Sequence, residues 1–190
     1  MFGSTPHQDR QQPAMNKRLF VAIDPPQEIR DHLAMLCCGL PNARWTVPEQ
    51  LHLTLTFIGE VSGSVFMDIR EALAEISAPA LTLQLQGVGF FPPRGQPRVV
   101  WAGLEKNELL QVLQRKITTR LFHLGLEPDN RKFSPHITLA RLHQTPAVKV
   151  GKYLECNGLF RSVPFEVNHF ILYSSILGRK GATHVVEQTY

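Results

Sequence analysis

The segments LHLTLTF, residues 51–57, and PHITLAR, residues 135–141, carry the same alternation. In an extended chain successive side chains turn to opposite faces. His52, Thr54 and Thr56 are therefore expected on one face, with Leu51, Leu53, Leu55 and Phe57 on the other. His136 and Thr138 likewise oppose Ile137 and Leu139. Each strand should anchor by an apolar face and present an imidazole beside a hydroxyl. The two histidines lie 84 residues apart, and other segments repeat at nearly that spacing. RLFVAID from Arg18 matches RVVWAGLE from Arg98 at an offset of 80; LTLQLQGVGFF from Leu81 matches FEVNHFILYSS from Phe165 at 84. Three elements in order predict a duplicated α+β unit. The expected architecture is bilobal, with two antiparallel-type sheets, helices outside and a central cleft. A solenoid would need about three short repeats or more.

Between these strands, three segments read as helices. In PQEIRDHLAMLCC, which follows Pro25, the residues Ile29, Leu33, Leu36 and Cys37 recur at helical spacing. SVFMDIREALAEIS is the second, and NELLQVLQRKITTRLFHLG, ending at Gly125, the third. Between residues 145 and 163 a full helix is not obvious, so the second repeat reads more weakly there. THVVEQTY, near the C-terminus, reads as a strand. The opening MFGSTPHQDRQQPAMN is polar, without an apolar run, and reads as a disordered extension over 1–16. One bilobal domain is expected over 17–190.

Of 190 residues, 43% are hydrophobic and 19% charged, enough for a sizeable core. No apolar run approaches the roughly 20 residues of a membrane helix, so no membrane role is expected. Three cysteines cannot form a disulfide framework, which suits a cytoplasmic location. The net charge of +4 is uneven: residues 1–129 carry 12 basic and 13 acidic side chains, residues 130–190 carry 8 and 3. A basic C-terminal part attracts phosphates, though five charges equally serve solubility. No His-Glu-x-x-His or Cys-x-x-Cys occurs, and the glycine pairs fit no phosphate-loop pattern. Cys37-Cys38 falls on a helix, where one thiol faces the core. His7, His32, His123, His143, His169 and His184 lack a paired context and read as surface or capping residues.

The paired strands suit one chemistry. Opening a cyclic phosphodiester needs a base to activate the nucleophile and an acid to protonate the leaving oxygen. Two histidines in opposite protonation states supply both near neutral pH. Threonine hydroxyls can hold the non-bridging oxygens so that phosphorus sits in line. No metal or other cofactor is required. Chance alone yields about half a His-x-Thr in such a composition, so the weight rests on the two falling at equivalent repeat positions.

HLTLTFIGEV, residues 52–61, and FSPHITLARL, residues 133–142, resemble the two signatures of the two-histidine phosphoesterase superfamily. More narrowly, the chain is similar to the bacterial RNA 2',3'-cyclic phosphodiesterase (2'-5' RNA ligase) family from about Lys17 onward. That resemblance implies hydrolysis of RNA 2',3'-cyclic phosphate ends to 2'-phosphates, with reversible 2'-5' joining as a side activity. It implies His52 as acid, His136 as base, and Thr54 and Thr138 as phosphate-holding hydroxyls; symmetry leaves the acid and base labels exchangeable. Arg141 takes the place of the family's arginine, although strict alternation puts it on the Ile137 face unless a bulge turns it inward. Phe20 and Phe133 are candidates for stacking on a base or, equally, for the core. The implied partners are RNA or tRNA fragments with cyclic phosphate ends and cyclic nucleotides; separately, a monomer is expected. Two alternatives remain open: a non-catalytic nucleotide- or RNA-binding module, and a sibling phosphodiesterase for other cyclic or 2'-5' linked nucleotides.

Overall fold

A computed structural model describes residues 16–127, 132–178 and 181–190. The extension expected over 1–16 lies outside the described residues, Asn16 excepted. The first repeat runs β1 (Lys17–Ile23), α1 (Gln27–Leu36), β2 (Ala43–Trp45), β3 (Leu53–Val61), α2 (Gly63–Ala74), β4 (Leu81–Leu83) and β5 (Leu85–Phe91). The second runs β6 (Val99–Leu104), α3 (Glu108–His123), β7 (His136–Leu142), α4 (Ala147–Asn157), β8 (Phe165–Val167) and β9 (Ile171–Gly178). A final strand, β10 (Gly181–Thr189), folds back on β9.

The expected α+β architecture is present, with antiparallel pairing throughout. The main sheet has the order β10-β9-β1-β3-β7-β6-β5, and β2 is attached to β7. From β9 to β5 this order is a palindrome of the repeat, because β9, β1 and β3 correspond to β5, β6 and β7. Each repeat therefore contributes its last long strand to the other lobe, so the lobes are not simply the two halves of the chain.

A second, two-stranded sheet, β4 with β8, lies on the internal axis. It pairs Thr82 with Glu166, residues 84 apart, and the Thr82 hydroxyl donates to the Glu166 carboxylate at 2.8 Å. Equivalent residues that face each other mark a two-fold axis. This pairing also explains why LTLQLQGVGFF and FEVNHFILYSS each break in two. Their first residues serve the axis and the rest continue to the sheet edges.

Helical packing follows the apolar stripes. On α1 the buried residues are Ile29, Leu33 and Leu36; on α3 they are Leu110, Leu113, Ile117 and Leu121. The Asn107 side chain caps α3 by accepting from the Leu110 amide at 2.9 Å. Residues 147–157 form a helix where the sequence leaves one not obvious. Only Val150 and Tyr153 are buried there, among Lys149, Gly151, Lys152 and Glu155, so the apolar stripe is too thin to read. Tertiary contacts stabilise it, including a hydrogen bond from the Tyr153 hydroxyl to the Leu36 carbonyl at 2.8 Å. No helix among the described residues is long and apolar enough to cross a membrane.

Candidate active site

The lobes join in the main sheet where Leu53 on β3 pairs with Ile137 on β7, again residues 84 apart. Both are buried, at 2% and 1% exposure. Their neighbours turn to the opposite face, which raises His52 and Thr54 beside His136 and Thr138. An antiparallel register about this pair sets His52 opposite Thr138, and His136 opposite Thr54. Four expected residues thus meet across the axis.

Each imidazole is held in the same way. Nδ1 of His52 donates to the Gln50 carbonyl at 2.7 Å, and Nδ1 of His136 to the Ser134 carbonyl at 2.7 Å. A carbonyl oxygen only accepts, so Nδ1 carries the proton and Nε2 holds the lone pair of the neutral ring. Both rings are half-buried. Burial pushes the His52 pKa from 6.5 down to about 4, against the Gln50 hydrogen bond, with His184 adding to the fall and Asp24 opposing it. His136 is also lowered by burial, against its bond to Ser134.

Aromatic groups brace the rings differently in the two lobes. His136 lies edge-on to Phe91 at 5.0 Å and tilted to Trp101 at 6.0 Å between ring centres. His52 lies 5.0 Å from Phe20 and, edge-on, 5.0 Å from His184. Tyr173 stacks on the same Phe20 ring at 5.2 Å, and its hydroxyl donates to Asp24 at 2.7 Å. Arg30 donates to that carboxylate oxygen at 2.9 Å. Sequence reasoning placed His184 on the surface. It reaches this wall because β10 pairs with β9 at His184 opposite Ser175, a register with no local signal.

Two matched bulges reshape the simple alternation. On β3, Ala22 pairs with Thr54 but Val21 with Thr56, leaving Leu55 unpaired in between. Cross-strand partners share a face, so Thr56 joins Val21 in the interior, at 5% exposure, and Phe57 joins Phe20 on the cleft face, at 49% exposure. The expected faces of Thr56 and Phe57 are therefore both reversed. On β7, Trp101 pairs with Thr138 and Val100 with Ala140, skipping Leu139. Leu139 and Ala140 are both buried, and Arg141 turns to the His136 and Thr138 face. Arg141 and Phe57, 84 residues apart, are thus equivalent rim positions of different chemistry.

For Phe20 the packing favours the core alternative over stacking on a base. Phe20 is only 3% exposed and packs among His52, Tyr173 and His184, so it supports the imidazole and offers no open face. Phe133 is half-buried against the main core. The exposed aromatic is Phe57, whose ring lies 6.0 Å from Phe20. Among the described residues, no group of three or more His, Cys, Asp or Glu is arranged to hold a metal ion.

Known proteins resemble this chain in sequence and in fold. The chain is 36% identical over 171 residues to the RNA 2',3'-cyclic phosphodiesterase of Archaeoglobus fulgidus, covering 86% of this chain and 94% of that one. It is 32% identical over 175 residues to the protein of the same name from Thermotoga maritima, covering 89% and 92%. Escherichia coli LigT, in a crystal structure with 3'-AMP, superposes with a TM-score of 0.76 at 28% identity, over 93% of this chain and 98% of that one. The LigT like Phosphoesterase family matches residues 23–101 and 103–184. One match spans His52 and the other His136. The duplication read from the sequence is that of a family, and this chain belongs to the LigT-like phosphoesterases.

Proposed function

We propose that this protein hydrolyses RNA 2',3'-cyclic phosphate ends to 2'-phosphates by metal-independent acid–base catalysis between His52 and His136. The observation that carries this reading is the symmetric tethering of the two rings. Each Nδ1 is engaged by a carbonyl, so each Nε2 is the atom available to move a proton. With phosphorus between them, one neutral imidazole takes a proton from water as its oxygen attacks phosphorus. The P–O3' bond breaks, and the other imidazolium delivers its proton to the departing O3'. Thr54 and Thr138 donate to the non-bridging oxygens, and Arg141 offsets the phosphoryl charge. The resemblance makes His52 the acid and His136 the base; 2'-5' ligation would use them in reverse.

The test is direct. The protein is incubated in EDTA with RNA ending in a 2',3'-cyclic phosphate and with each 2',3'-cyclic nucleotide, and products are identified by phosphorus NMR. The 2'-phosphate is expected as the product, at an undiminished rate. No turnover of any substrate would sink the enzyme reading. Activity lost in EDTA and restored by Mn²⁺ or Zn²⁺ would replace the paired-histidine mechanism with metal-generated hydroxide.

The lowered pKa values set a pH expectation. Catalysis needs one ring neutral and one protonated, which gives a bell with limbs belonging to the coupled pair. In the free protein both rings lie below 6.5, so the bell of kcat/KM should peak on the acid side of 6.5. A bound phosphate anion favours both imidazolium forms, so the kcat profile should lie at higher pH. Coincident profiles peaking above pH 7 would contradict this assignment.

A further inference from the structure

We propose that Arg44, together with Arg141 shared from the reaction site, forms a second anion subsite, which takes the phosphodiester preceding the terminal nucleotide of an RNA end. The proposal rests on the function inferred above and names the part of the substrate that a mononucleotide lacks.

Arg44 on β2 stands directly opposite Arg141 on β7. Such partners share a face, and like charges in this position repel. Among the described residues, neither arginine has a carboxylate partner, whereas Arg30, Arg120 and Arg161 each do. The β7 bulge puts both guanidinium-bearing positions on the side of His136 and Thr138. The Arg44 guanidinium also occupies the space that a Cβ on Gly181 would fill. Its head is thereby placed at the start of β10, close in sequence to His184. Two guanidinium-bearing positions at one register point, without a carboxylate partner among the described residues, suit an anion between them.

Beside this pair lies an open basin of about 740 Å³, lined by Gln96, Arg98, Arg141, His143 and Gln144 among others, with no carboxylate in its lining. Arg141 lines the basin and by its register turns to the cleft face, so it is the residue common to both. A strand whose cyclic phosphate sits between the histidines can leave along this basin, and its next phosphate then passes Arg141. A phosphodiester suits the site because guanidinium groups bind its two free oxygens in a planar fork. The basin leaves room for the sugars on either side.

The experiment compares a 2',3'-cyclic mononucleotide with a dinucleotide carrying the same cyclic end. The wild type should favour the dinucleotide by about tenfold or more in kcat/KM, mainly through KM. Arg44→Ala and Arg44→Gln should each remove most of that preference while leaving mononucleotide turnover unchanged. Each should also flatten the salt dependence of dinucleotide binding by about one unit of log–log slope. Arg44→Lys, which keeps a charge on a long stem beside Gly181, should retain most of the preference and so separates loss of the guanidinium charge from disturbance of that contact. Equal losses on both substrates, or no wild-type preference, would overturn the subsite. Calorimetric binding of the dinucleotide 2'-phosphate needs no turnover. A wild type that turned over neither substrate yet bound this product more tightly than the mononucleotide would refute the catalytic reading and support the subsite.

Discussion

Replacing His52 or His136 by alanine should lower turnover of a cyclic phosphate by about 10²–10⁴-fold. Each change removes one of the two Nε2 atoms between which the proton relay runs, and among the described residues no other histidine is tethered in the same way across the axis. His184 is the nearest substitute for His52, but it meets that ring edge-on from the outer strand, away from the β3–β7 joint. The double variant should be little worse than the poorer single one, because a base without its acid partner has only a fraction of its effect. Thr54→Ala and Thr138→Ala should cost less and act mainly on phosphate affinity. Single-turnover rates and thermal melting on the same samples would check this. Near-wild-type turnover in either histidine variant, with folding intact, would remove that residue from the mechanism.

The largest stability effect within the site is expected at the joint beneath it. Leu53→Ala should cost about 2–5 kcal/mol, out of roughly 5–15 for a domain of ordinary stability. Leu53 is 2% exposed and faces Ile137 at the register pair between β3 and β7, so truncation opens a cavity where the lobes meet. Turnover should fall as well, because the strands that bear the two histidines lose their common anchor. Phe57→Ala, four residues along the same strand, serves as the contrast. Its ring is 49% exposed, and its cost should stay within about 0.5 kcal/mol. Denaturant unfolding of both variants gives the comparison. A cost below about 1 kcal/mol for Leu53→Ala would mean that the helices and outer strands hold the lobes together without this joint.

Much of the site was legible because a strand's side-chain period is local. The pattern in LHLTL and PHITL shows which residues anchor and which face the cleft, and the 84-residue spacing declares the pairs equivalent. The long α3 was legible for the same reason, since its apolar stripe lies within one segment. The exchange of β5 and β9 between lobes was not. It depends on which strands pair, and antiparallel pairing has no period of its own. Arg141, Phe57 and Thr56 lie beyond bulges that exist only relative to a partner strand, at the Val100–Trp101 and Val21–Ala22 steps. His184 and Arg44 reached the cleft through the registers of β10 on β9 and of β2 on β7. By itself, then, the sequence determined the fold class, the duplication and the four His and Thr positions, because these follow from order along one chain. Tertiary structure alone decided what surrounds them, because a register is a property of two strands and is set by the burial that both achieve together.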